Sequence, residues 1–257
     1  MDVRVSSNLT RVEELELRAT ASSRVIAASS ASVAFIQGAY GFRERSGDRM
    51  LRQLVRSDGV PWLTPRGLPV LSLEGDGPVV ELQYTGTGFV VGDEGFLITN
   101  RHIPLPWEQN SSSAMLVSED VEPVIMKLVA YLPGYSNAVP VSLRLASENA
   151  DIAILERGDA LTTMHGRHLA EITPTSGDEV IVMGYPTGLR SMLAQSGPDF
   201  IKQLQESANT DFWSVAAKLA EGGHVAPLAS RGIGGHVTPN AIVYDAETPM
   251  AAAEDRY

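Results

Sequence analysis

The pattern of apolar and polar positions changes texture once along the chain, near Ser32. From about Leu9 to Ala31, Glu13, Glu14, Glu16 and Arg18 mix with Leu and Ala, and neither Pro nor Gly interrupts, which predicts a helix. Beyond Ser32 short apolar runs rich in β-branched residues alternate with turn residues, which predicts strands. The first group is Val33 to Ile36, Val70 to Leu73, Val79 to Leu82, Gly88 to Val91 and Phe96 to Thr99. The second is Lys127 to Leu132, Val139 to Leu145, Asp151 to Leu155 and Glu179 to Gly184. Many short strands at such spacing suggest a sandwich or barrel. One segment departs from this period: between Pro198 and Ala220, Phe200, Leu204, Phe212, Val215, Ala216 and Leu219 fall at helical offsets. Pro198 is placed for a start and Gly222-Gly223 for a stop, so one or two helices are expected inside a β domain.

Composition narrows the function classes. The 257 residues carry a formal charge of −11 and contain no cysteine, which excludes disulfide frameworks, Cys-ligated metal centres and thiol nucleophiles. Lys and Arg are scattered singly on an acidic chain, which opposes binding to a nucleic-acid polyanion. The longest uncharged N-terminal stretch, Val25 to Phe42, is broken by Ser, Gln and Gly and is too short to span a bilayer. Met1-Asp2-Val3-Arg4 leads into no apolar run, so no secretory signal is read. The expected location is the cytosol, or export if the true N-terminus lies upstream.

The most informative stretch runs from Thr85 to Ile103. It reads as a hairpin: the strand Gly88-Phe89-Val90-Val91, a turn through Gly92-Asp93-Glu94-Gly95, and a return strand that ends in Thr99-Asn100-Arg101-His102. A histidine therefore arrives at the mouth of a sheet. Further on, Asn149-Ala150-Asp151 sets a carboxylate at the lip of the apolar strand Ile152 to Leu155. Either residue alone is an ordinary structural one.

Together these motifs resemble the trypsin-like serine peptidases, in particular the disulfide-free bacterial branch of high-temperature-requirement (Deg-type) proteases. Gly86 to Ile103 resembles that branch's Gly-Ser/Thr-Gly-Phe hairpin closing on Leu-Thr-Asn-x-His, with Ile98 in place of the Leu. Asp151 to Leu155 resembles its Asp-hydrophobic-Ala-hydrophobic-Leu strand, and Gly177 to Gly188 resembles its Gly-Asp-x-Val-x-x-x-Gly-hydrophobic-Pro-x-Gly segment. The resemblance covers about Val33 to Thr248. It implies an all-β, double-barrel fold with the active site between the barrels, His102 as general base and Asp151 as its orienter. The expected organisation is an N-terminal helical segment (1–32), a first barrel bearing His102 and Asp151 (33–170) and a partial second barrel with the helical insertion (171–257).

The third member of such a triad is missing. Aligning Asp245, Ala246 and Thr248 with the family's nucleophile motif puts Ala251 at its oxyanion-hole Gly, Ala253 at its Ser and Glu254 at the next Gly. A chain with no nucleophile there, and with the second barrel incomplete, is expected to be inactive as written. It reads as a truncated or frame-shifted relative, or as a pseudoenzyme serving as a protein-interaction module. Ser191, Ser196, Ser207, Ser214 and Ser230 lie outside any Gly-x-Ser-Gly turn and read as surface or capping residues. His165 and His168 have a ligand-like gap but no acidic or Cys companions, and Arg231 to His236 has a phosphate-loop texture but runs on into strand-like residues. Phe200, Phe212 and Trp213 read as packing residues. No cofactor or metal is implied. The expected partner is a polypeptide substrate, with the N-terminal helix a candidate contact for another protein.

Overall fold

The computed structural model describes residues 20–157, 166–238 and 241–246. Residues 20–29 form a helix, α1, and a single 3-10 turn, Ser30–Ser32, joins it to the first strand. In chain order the strands are β1 (Val33–Glu44), β2 (Arg52–Gln53), β3 (Leu71–Ser72), β4 (Leu82–Val91), β5 (Phe96–Thr99), β6 (Val121–Tyr131), β7 (Val139–Ala146), β8 (Ala153–Arg157), β9 (Glu179–Gly184), β10 (Leu228–Val237) and β11 (Ile242–Tyr244). A one-turn helix, α2 (Ser111–Ala114), follows β5, and α3 (Leu189–Gln195), α4 (Pro198–Glu206) and α5 (Phe212–Glu221) separate β9 from β10. The described chain is thus mostly β with helices at its N-terminal side and within its second half.

Six strands close a barrel in the order β1-β4-β5-β8-β7-β6. The β4–β5 hairpin turns at Gly92 and Gly95, both at positive φ (62° and 67°), a backbone region that glycine enters without a Cβ clash. Chain order and spatial order part company after β5, whose free side is taken by β8 rather than by the next strand in sequence. The barrel interior is filled by Ala34, Ile36, Val90, Leu97, Leu128, Ala130, Leu132, Val139, Val141 and Leu155. Full burial of the Val, Leu and Ile side chains among them stabilises by about 1.5–3 kcal/mol each.

β1 is buried on both faces. Ala34 and Ile36 point into the barrel, while Val33 and Phe35 join Val129 and Tyr131 of β6 in a second cluster with Tyr185, Met192, Val215, Ala216 and Leu219. The helical segment expected near 198–220 is therefore present and covers the outer wall of the barrel. It comprises three helices and starts earlier, at Leu189, because Leu189, Met192 and Leu193 supply one apolar face behind the Gly188 turn. Asp211 caps α5 by accepting the N–H groups of Trp213 and Ser214, and Gln37 of β1 donates from Nε2 to the Phe212 carbonyl at 2.6 Å.

The remaining strands form an open sheet, β11-β10-β9, and the small β2-β3 pair. The expected strand at Val79 to Leu82 is displaced: β4 begins at Leu82, and Val79 makes only an isolated bridge with Arg52. Pro78 has no N–H to continue a ladder. Among the described residues no helix is long and apolar enough to cross a membrane.

Candidate active site

Strand register brings the segments that carry the two candidate residues to the same end of the barrel. β5 and β8 run antiparallel with Thr99 opposite Ala153. His102 lies three residues beyond Thr99 and Asp151 two residues before Ala153, so both chains leave the barrel at the same end. The turn after β5 is fixed by the N–H of Ile103 donating to the Asn100 carbonyl. Ile103 itself is buried against Gly86 of β4, where a Cβ would come within 2.5 Å of its Cδ1. The glycine of the Gly-Thr-Gly run thus makes the seat that anchors the residue next to His102.

Asp151 is held at both oxygens. Oδ1 accepts the backbone N–H of His102 at 3.0 Å, and Oδ2 lies 2.8 Å from Nδ1 of the imidazole and 3.1 Å from Nδ2 of Asn100. Asn100 also donates to the Asp151 carbonyl at 3.2 Å. Burial pushes the Asp151 carboxyl up, but the backbone N–H and the imidazole of His102, together with the Asn100 amide, outweigh it and hold the acid below its ordinary range. At neutral pH the group is therefore a carboxylate and can only accept, so Nδ1 must carry the proton it shares with Oδ2. In the neutral imidazole the acceptor lone pair then sits on Nε2. Both side chains remain accessible, His102 at 37% and Asp151 at 43% exposure.

Sequence reasoning assigns no role to two residues that the structure places in this cluster, Asn100 and Arg101. Both stand in the motif that pointed to His102, which is the signal that could have found them. Arg101 makes a two-pronged ion pair with Glu108 and donates from its third nitrogen to the Ser147 carbonyl, each at 2.7 Å.

The other candidates lie elsewhere. Ala251, Ala253, Glu254 and His165 fall outside the described residues. Ser191 donates to the Gly188 carbonyl, Ser196 to that of Leu193 and Ser214 to the Asp211 carboxylate. Ser207 donates to the Leu204 carbonyl at the end of α4 and accepts from Lys218 at 2.5 Å. These are caps and turn closures, as the sequence suggests. Ser230 lies within β10, opposite Val182. Arg231 to His236 is strand in β10, not a loop opening a helix. Phe200 and Trp213 pack against the helix-and-barrel cluster. Among the described residues no group of three His, Asp or Glu is arranged to hold a metal.

The sequence matches no protein-family model and no curated protein. Among solved structures it is similar to the Rv3671c protease from M. tuberculosis in its active form, at 15% identity and a TM-score of 0.39 over 86% of this chain and 60% of that one. It is similar to the HtrA-type protease AlgW with a decapeptide, at 14% identity and a TM-score of 0.42 over 86% and 50%. It is also similar to the serine endoprotease from Yersinia pestis, at 11% identity and a TM-score of 0.36 over 81% and 42%. The chain spans 42% to 60% of the length of those structures. Likenesses this remote carry none of the functional reading, which rests on the geometry of His102 and Asp151.

Proposed function

We propose that the chain derives from a trypsin-like serine endopeptidase and keeps the proton-transfer half of its active site, with His102 as general base and Asp151 as the group that orients it. The observation that carries this reading is the contact of 2.8 Å between Nδ1 and Oδ2, made by a carboxylate whose other oxygen is already engaged by the same histidine's backbone. Such a pair fixes the tautomer in which Nε2 can take a proton from a hydroxyl nucleophile and return it to the leaving amine, and the carboxylate stabilises the imidazolium in between. The substrate of this chemistry is a polypeptide.

With Ala253 in the register of the nucleophile, these 257 residues do not hydrolyse peptides. Loss of the nucleophile from a triad removes roughly a millionfold in kcat. Incubation with a fluorophosphonate probe and with casein tests this: no labelling and no cleavage are expected. Cleavage by the wild type that disappears in His102→Ala would overturn the inactivity and retain the lineage. A second reading, a protein-interaction module on the same scaffold, is favoured by Ile233, Ile242, Val243 and Tyr244, apolar side chains exposed on β10 and on both faces of β11.

A further inference from the structure

His102 and Asp151 are both more than a third exposed. A single contact between side chains this exposed competes with water and is weak by itself, whether the imidazole is neutral or charged. The geometry has to be imposed by the frame around it. Asn100 and the His102 backbone fix the carboxylate locally, but the loop that carries Asp151 must also be fixed to the turn that carries His102.

That loop is a closed unit hanging from Ser147. The Ser147 N–H donates to the Ile152 carbonyl at 2.9 Å, and its hydroxyl accepts the N–H groups of Asn149 and Ala150. Its carbonyl is the one Arg101 grips. The guanidinium uses Nε and one terminal nitrogen on Glu108 and the other on Ser147, so three segments meet on one planar group: the histidine turn, the 3-10 turn Pro106–Glu108 and the Asp151 loop.

We infer that Arg101 is a positioning residue for the His102–Asp151 pair, acting as a clamp that holds the 147–152 loop against the turn after β5. This inference rests on the base-and-orienter reading above. Lysine cannot replace the fork, because an ammonium is a point donor and cannot match a carboxylate in two places while reaching a third acceptor.

The clamp is testable without turnover through the Nδ1 proton of His102, which the contact with Asp151 protects from exchange with solvent. Imidazole nitrogen and proton spectra of the full chain, with the His102 signals assigned by their loss in His102→Gln, read that protection. Arg101→Gln and Arg101→Lys are both expected to remove at least half of the protection that Asp151→Asn removes. Wild-type protection in Arg101→Lys would overturn the clamp and leave only a charge effect. No loss of protection in Asp151→Asn itself would instead sink the base-and-orienter reading. In the unmodified protein the Arg101 Nε–H is expected to exchange slowly with solvent, and a freely exchanging one overturns the clamp whether or not the variants fold.

Discussion

The barrel and the three-stranded sheet are made from similar residues in similar patterns, and only the barrel buries them. In the barrel each strand has a neighbour on either side, and Ala34, Ile36, Leu97, Leu132 and Leu155 are fully enclosed. In the sheet, β11 is exposed along its whole length, and Ile233 of β10 is half exposed. A ladder that closes on itself makes an inside; one that ends leaves apolar side chains facing outward and an edge able to pair with another chain. The candidate site sits where closure is achieved, at the end of the β5–β8 pairing, and it inherits its geometry from that register.

The sharpest way to break the comparison is to cut the core at Leu97. Leu97 pairs with Leu155 across β5 and β8 and is fully buried, so Leu97→Ala is expected to cost about 2–5 kcal/mol in urea unfolding. A loss below 1 kcal/mol would mean that the barrel is not the cooperative core of the protein.

How far the site was legible in the sequence follows from the same contrast. The β4–β5 hairpin could be read locally, because Gly92 and Gly95 bracket a turn between two apolar runs. The contact of His102 with Asp151 could not: it depends on β8 crossing to β5, and no period in the sequence encodes which strand takes that place. Only the resemblance joined the two residues. Strand ends were hidden by glycine and proline inside regular elements. β1 continues past Gly38 and Gly41 because those positions lie under Tyr84 and under the Val80 carbonyl, where a side chain would not fit. β6 starts at Val121 and runs through Pro123, ahead of the expected Lys127, with Glu122 paired to Arg43 of β1. The clamp by Arg101 was invisible for a further reason: its acceptor is a main-chain carbonyl, which carries no residue signature.

A smaller effect tests the link between barrel and site. Gly86→Val places a branched side chain where three carbons of Ile103 already lie within 3.2 Å of a Cβ. Overpacking of this kind costs about 1–3 kcal/mol. The distinctive outcome is a displaced His102 imidazole signal, since Ile103 cannot move without its neighbour. An unchanged signal in a destabilised protein would separate the hairpin from the histidine.

Smaller again is the contribution of Asp151 to stability, and its sign is fixed by the direction of the shift. The folded acid ionises below the ordinary aspartate value of about 4. Its contribution is therefore complete above that value and is lost as pH falls through the folded one. The stability difference between the wild type and Asp151→Asn is expected to be constant from about pH 5 upward as far as this group is concerned, and to shrink as the pH falls below the ordinary aspartate value. A difference that widened on acidification would contradict the hydrogen bonds assigned to the carboxylate.

The smallest expected effect makes the most direct test of the contrast between the two regions. Ile242 and Val243 are 42% and 58% exposed in β11, so Ile242→Ser and Val243→Ser should each change stability by no more than about 0.5 kcal/mol, in line with substitutions at open surface positions. The corresponding truncation in the barrel is several times larger because there the lost methyl groups leave a cavity instead of water-filled space. A cost above about 2 kcal/mol at either position would show that the sheet face bearing that residue is covered in solution. The interaction-module reading then gains its interface, and dependence of the unfolding midpoint on protein concentration would assign the cover to a second copy of the chain.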